Sequence, residues 1–273
     1  MKQKSIYGAL MALMVMGVVF ASCTNADNPY NTTAPDGKYV MTKDSTVYSN
    51  GDSRLVTWEF DAEGKMVKES ADYHYPDGSY LQIINTFTYS ENLITRQTVT
   101  SKDENSLSYF YLNSKGLIER FIDEEGLETR YEYDDNDRIV MTSEDGKRDL
   151  VAWENDDVVR FEVNTYGDGS VINYTSSDQE VYFPYLISYL LNLDTAMTPI
   201  GLFGKATRHL VSTMHLEKES GGNSVYLHDD FSYVVRNGLV MEFIANTDQR
   251  YTIDGESTDK SLAEHHYLYW EKR

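Results

Sequence analysis

Beyond residue 37, apolar residues recur at every second position over short runs, and clusters of Asp, Asn and Gly break those runs. Side chains two apart in a strand share a face, so this period reads as half-buried β-strand and the clusters read as turns. The clearest unit is Trp58-Glu59-Phe60-Asp61-Ala62-Glu63-Gly64-Lys65-Met66-Val67, repeated as Tyr131-Glu132-Tyr133-Asp134-Asp135-Asn136-Asp137-Arg138-Ile139-Val140. Phe110 to Ile118 keeps the length, whereas Phe87 to Ile94 and Val151 to Val159 have shorter turns. The units start at 58, 87, 110, 131 and 151, the spacing of a hairpin plus the turn to the next. Gly64 and Gly116 suit the positive φ of tight turns, and the Val151 to Val159 copy lacks such a glycine. Pro76-Asp77-Gly78-Ser79 and Gly167-Asp168-Gly169-Ser170 mark further hairpins.

More strands are expected at Val225 to Asp229, Phe231 to Val235, Leu239 to Ile244 and His266 to Trp270, with Arg236-Asn237-Gly238 as a turn. The expected fold is all-β and mainly antiparallel. It is an up-and-down meander over residues 38–273, closed or strongly curled into a barrel-like sheet, because long exposed edges invite association. One segment breaks the alternation: from Val181 to Leu193 the residues are apolar on nearly every side, and Pro184 suits a first helical turn. A short buried helix near 181–193 is the preferred reading, a natural plug for the curled sheet, and a core strand is the alternative. A loop from Thr198 to Gly204 then leads to Lys205-Ala206-Thr207-Arg208-His209-Leu210.

The N-terminus has a different character. Lys2 and Lys4 precede an uncharged apolar run from Ile6 to Phe20, the pattern of a signal peptide and too short for a membrane helix of ~20 residues. Phe20-Ala21-Ser22-Cys23 reads like the cleavage box of bacterial lipoproteins, with Phe20 where Leu is commoner. Residues 1–22 are then a signal peptide and Cys23, the chain's one cysteine, is the lipidation site. Several acyl chains on one residue suffice for stable attachment without spanning. Thr24 follows, so no Asp stands there to argue for inner-membrane retention, and the expected address is the outer membrane of the cell envelope. Residues 23–37, almost without apolar side chains except Tyr30, read as a lipidated flexible stalk.

With 24 basic and 44 acidic residues, the formal charge of −20 argues strongly against a phosphate-neutralising face, so no nucleic-acid partner is expected. Loss of Lys2 and Lys4 with the signal peptide makes the mature chain more acidic still.

The tandem aromatic-x-Tyr-Asp units resemble the YD-type repeats of large secreted β-structured proteins. Together with the lipobox, the acidic mature chain and Gly201-Leu202-Phe203-Gly204-Lys205-Ala206-Thr207-Arg208-His209-Leu210, they resemble more closely a family of gut-anaerobe lipoproteins of unknown function, described as having a porin-like β fold. The resemblance implies architecture and brings no catalytic residues.

Candidate chemistry is sparse. Neighbouring side chains of a strand face opposite ways, so His265 and His266 cannot share one ion, and His215-Leu216-Glu217-Lys218-Glu219 is not a zinc helix. The Asp134 to Asp137 turn partly follows a calcium loop but has Ile139 where glycine is needed, so turn acids explain it better. No metal and no cofactor are expected. There is no Gly-x-Ser-x-Gly elbow, no phosphate-cradling loop and, after processing, no cysteine nucleophile, and no catalytic residue is assigned. Trp58, Trp153 and Trp270 fit the core alternation, whereas Tyr109 and Tyr111, facing opposite to Phe110, are the candidate exposed contact pair. The expected function is non-catalytic binding of a glycan, a small amphipathic ligand or an envelope protein. The alternatives are a structural or assembly component of the envelope and a polysaccharide hydrolase.

Overall fold

The computed structural model describes residues 39–165, 169–181, 183–193, 201–220, 223–253 and 256–272. The signal segment, Cys23, the stalk and the Gly167-Asp168 part of one expected turn lie outside these residues. The first eight strands are β1 (Tyr39–Tyr48), β2 (Ser53–Phe60), β3 (Met66–His74), β4 (Tyr80–Ser90), β5 (Leu93–Thr100), β6 (Asn105–Leu112), β7 (Ile118–Ile122) and β8 (Glu128–Tyr133). They are followed by β9 (Ile139–Glu144), β10 (Lys147–Glu154), β11 (Asp157–Val163) and β12 (Ser170–Glu180). Helix α1 (Pro184–Leu191) comes next, and then β13 (His209–Ser220), β14 (Asn223–Arg236), β15 (Leu239–Ile253) and β16 (Glu256–Lys272). Each strand pairs antiparallel with its neighbours in sequence, and β1 pairs with β16, so the sheet is a closed barrel. Closure removes the exposed edges that the meander would otherwise carry.

The repeated units are hairpins whose turns all lie at the end of the barrel where β1 begins and β16 ends. At Asp61, Asn113 and Asp134 the side-chain Oδ1 accepts backbone N–H groups two and four residues on, which closes the turn locally. The Val151 to Val159 copy, which has no glycine, uses Asn155 and Asp156, both at positive φ (51° and 68°), which is the backbone of a tight two-residue hairpin. The first inward residue after each turn is fully enclosed, as for Met66, Ile94, Ile118, Ile139, Val158 and Val240, and together these form an apolar ring.

The aromatic residues of the repeat have a second task. Register shifts next to this ring take backbone carbonyls out of the regular ladder. Tyr89 donates to the Met66 carbonyl (2.9 Å), Tyr133 to Ile118 (2.6 Å), Trp153 to Ile139 (2.7 Å) and Trp270 to Val240 (2.8 Å). A Tyr or Trp fills space and satisfies the carbonyl; a Phe would only fill space.

The long strands depart from expectation in one respect. The run expected as two strands, broken between Asp229 and Phe231, is one continuous β14, because Asp229 faces inward and Asp230 outward within unbroken pairing to β13 and β15.

Helix α1 enters the barrel at the repeat end. Tyr185, Leu186, Ile187, Leu190 and Leu191 are all buried, so the segment is the helix that its all-round hydrophobicity favours. Phe183 and Tyr185 stack on each other (5.3 Å between centroids), and both pack edge-on to Phe243 of the wall. Asn192 in the left-handed conformation (φ 53°) stops the helix, and the Leu193 N–H returns to the Ser188 carbonyl. The following strap is pinned to two hairpin turns: Lys205 N donates to the Asp137 carbonyl (2.8 Å) and Arg208 N to the Asp156 carbonyl (3.0 Å). Asp157 holds its far end, accepting from Thr207 Oγ1 (2.9 Å) and His209 N (2.8 Å).

Candidate functional site

A lipid-embedded barrel is apolar outside and polar within. In this barrel the assignment is reversed over much of the wall. On β3, Lys68, Ser70, Asp72 and His74 face out while Ala71 and Tyr73 face in. Ion pairs sit on the outer wall, among them Lys68 with Glu59 (2.6 Å), Arg130 with Glu128 (2.6 Å) and Arg250 with Asp259 (2.9 Å). Charged residues at the bilayer midplane of a barrel cost about 2–4 kcal/mol each for Arg or Lys, so this wall is built to face water. Among the described residues no helix is long and apolar enough to cross a membrane.

The chemistry lies inside, on a belt set by the pairing register. Tyr73, Arg54, Thr46, His266, Phe243 and Tyr233 stand side by side across six strands. Just below them, Asp44 accepts from Arg54 Nη2 (2.7 Å) and from Thr46 Oγ1 (3.2 Å), and its Oδ2 lies 3.1 Å from His266 Nδ1. The Nε2 of His266 is 3.4 Å from Glu264 Oε2, and the Tyr185 hydroxyl is 3.3 Å from His266 Nδ1. Burial alone would depress the imidazole pKa, but Asp44 and Glu264 outweigh it and hold His266 above its usual value. Burial alone would raise Asp44, and here the His266 and Arg54 charges win and hold the carboxyl low. The cluster therefore fastens the plug helix, through Tyr185, to the wall. A second chain runs from Trp58 Nε1 to Glu69 (3.1 Å), and from Thr98 through Asn85 to the same carboxylate.

Above the belt the wall continues along the long strands. Glu264 stands between Tyr48 and Ala245, and Asp229 stands between Thr247 and Met214, with Tyr174 beyond Met214. Tyr189 of α1 packs edge-on to Phe231 (5.8 Å) and Phe243 (5.3 Å) just beneath, and Tyr174 donates to the Leu190 carbonyl (2.6 Å). Inward-facing Leu227, Thr247 and Glu264 are only half-buried, so the barrel is solid at the repeat end and accessible above α1. Asp229 is buried there, and burial pushes its carboxyl up to about 7. A hydrogen bond from Thr247 opposes that rise, and Asp229 Oδ1 has no hydrogen-bond partner among the described residues.

Of the residues singled out by sequence, Tyr109 and Tyr111 lie on the outer face of β6, half-buried, with Phe110 fully enclosed between them. The Arg120 guanidinium covers one face of the Tyr111 ring at 3.7 Å, and Ile122 stands beside Tyr109. Cys23 lies outside the described residues. His265 and His266 do face opposite ways: His265 is bonded outside to Glu242 (2.9 Å) and Tyr267 (3.1 Å). The Asp134 carboxylate is occupied by the N–H groups of Asn136 and Arg138 and by the Arg138 guanidinium. No cluster of three or more His, Cys, Asp or Glu suited to a metal occurs among the described residues. Sequence reasoning passed over Asp44, Arg54, Asp229 and Glu264. The only trace of them was charge at positions that the alternation assigns to the inside.

No family model matches the chain, and no curated protein matches it. Among solved structures it is similar to a porin-like protein from Bacteroides uniformis, with TM-score 0.61 and 14% identity over 84% of this chain and 98% of that one. It also matches a porin-like protein from Bacteroides vulgatus, with TM-score 0.34 and 10% identity over 85% and 98% of the two chains. The fold is thus that of a porin-like β-barrel, here closed at one end by its own helix.

Proposed function

We propose that this chain is a non-catalytic, envelope-associated binding module that takes a small amphipathic ligand into the open end of its barrel. One observation carries this reading. The barrel interior is sealed at the repeat end by α1, yet above the helix its inward face stays half-buried, mixing Leu227 with Thr247 and Glu264. The mouths of β-barrels are a favoured place for such sites, because a rigid wall surrounds the ligand without a rearrangement of the fold. The likeness to porin-like proteins of Bacteroides and the lipobox at Cys23 support an envelope address. The outward pair Tyr109 and Tyr111, with Ile122 beside it, is proposed as a separate contact for a glycan or an envelope protein.

The raised carboxyl of Asp229 near Glu264 favours, as a second reading, the acid and base of a polysaccharide hydrolase.

A thermal-shift panel of the purified protein with alkyl amphipaths, oligosaccharides and lipids tests the binding reading. A ligand at ~100 times its Kd adds about 2.7 kcal/mol of stability. A dose-dependent shift with amphipaths alone supports the barrel-mouth site, shifts confined to oligosaccharides move the function to the outer tyrosines, and release of reducing sugar favours the hydrolase. For the address, incorporation of a labelled fatty acid that Cys23→Ala abolishes is the expected result.

A further inference from the structure

The upper interior and the belt beneath it carry three acids, Asp44, Glu264 and Asp229, against two bases: His266, 3.4 Å from Glu264, and Arg54, which acts on Tyr48. Asp229 and Glu264 face the same space from β14 and β16, and the two charged side chains that act on Asp229 are both acids, Glu264 within and Asp230 on the outer face. The other inward neighbours of Asp229 are Thr247 on β15, Met214 on β13 and, past it, Tyr174 on β12. The C-terminal end of α1 reaches the same level, because its Leu190 carbonyl accepts the Tyr174 hydroxyl. That end carries the negative pole of the helix and has no basic residue in its last turn. Aromatic rings complete the wall: Tyr189 interacts electrostatically with both acids, and Tyr48 stands opposite Glu264.

A buried carboxylate oxygen without a partner is costly in a folded protein unless something else satisfies it. Asp229 Oδ1 is such an atom. Its surroundings supply a net negative charge, a helix C-terminus and tyrosine rings, which are features that recognise an ammonium group. We propose that Asp229 and Glu264, with the rings of Tyr48 and Tyr189, form a binding site for the cationic head of an alkylammonium ligand. This inference rests on the barrel-mouth reading and specifies the polar half of its ligand. Half-buried Leu227, facing inward from the same strand as Asp229, supplies an apolar surface for the tail. The elevated carboxyl of Asp229 fits the assignment, since it marks an acid held without a counter-charge.

The test is calorimetric titration at pH 8 of octylammonium and of octanol, which differ in the head group, into the wild-type protein and into the Asp229→Asn and Glu264→Gln variants. Octylammonium is expected to bind at least ten-fold more tightly than octanol. Each substitution is expected to weaken octylammonium far more than octanol, removing most of that preference, with the folded circular-dichroism spectrum retained. Equal affinity for the two compounds, or a preference that survives both substitutions, overturns the cation site and leaves the barrel-mouth reading standing. Binding of neither compound overturns both.

Discussion

Asp44 and His266 are 222 positions apart in sequence, yet their side chains meet at 3.1 Å inside the barrel. They do so because the first strand closes on the last, and Arg54 on the second strand binds the same carboxylate. The seam of the barrel is therefore fastened by charges buried from solvent on both sides.

Removing one member of that cluster should be far more damaging than removing a surface ion pair. Arg54→Met leaves Asp44 facing His266 alone in a dry interior, and truncating one partner of a buried pair typically costs about 3–5 kcal/mol. Lys68→Met, which breaks the exposed pair with Glu59, should cost no more than about 1 kcal/mol. Chemical denaturation of the two variants side by side measures the difference.

The same cluster sets a pH window. His266 is held above its usual 6.5, so its contribution is fully present below that value and is lost as pH rises through the raised one. Asp44 is held below 3.8, so its contribution is present above 3.8 and disappears as pH falls through the lowered value. Stability attributable to the cluster should thus be greatest between these limits. A His266→Gln variant should lose the alkaline part of the decline in a series of thermal melts.

Asp229 has the opposite sign. Its carboxyl is raised from 3.8 to about 7, so ionisation opposes folding, with no effect below pH 3.8 and the full penalty above pH 7. The shift corresponds to roughly 4 kcal/mol at most, since one pKa unit is worth about 1.4 kcal/mol. Asp229→Asn should therefore raise Tm at pH 8, with the gain shrinking toward pH 4. A variant less stable than wild type at pH 8 would show that the carboxylate has a favourable role in the free protein.

Gly204 is expected to be the most sensitive glycine of the strap. Its φ is +82°, and a Cβ there would stand 2.2 Å from the Asp137 carbonyl oxygen and 3.1 Å from Tyr133 Cε1. Gly116 has nearly the same φ, +81°, with open space around it. Gly116→Ala then reports the backbone strain, about 1–2 kcal/mol, and Gly204→Ala adds the clash, a further ~1–3 kcal/mol. Equal Tm losses for the two would mean that the strap yields without resistance.

The hairpins were readable from sequence because their causes are local. Trp58 and Phe60 share a face by the pleat of one strand, and Asp61, Asn113 and Asp134 close their turns with atoms no more than four residues away. The all-round hydrophobicity of 184–191 likewise marked a buried helix, since an exposed one needs a polar side. Even the choice of Tyr or Trp was visible as a pattern, although its reason, a carbonyl displaced by a bulge in the adjacent strand, was not. Where β1 meets β16, which inward charges share a row, and what stands over α1 follow from closure and stagger around the whole barrel. Thr46 and His266 face each other through pairing across 220 residues, and no period in the sequence records that distance. Sequence alone therefore determined the all-β meander, its hairpin turns and the buried segment that interrupts it, while the tertiary structure decided strand lengths, closure and which acids meet inside. Local periodicity fixes the side a residue faces, and only closure of the sheet fixes what it faces there.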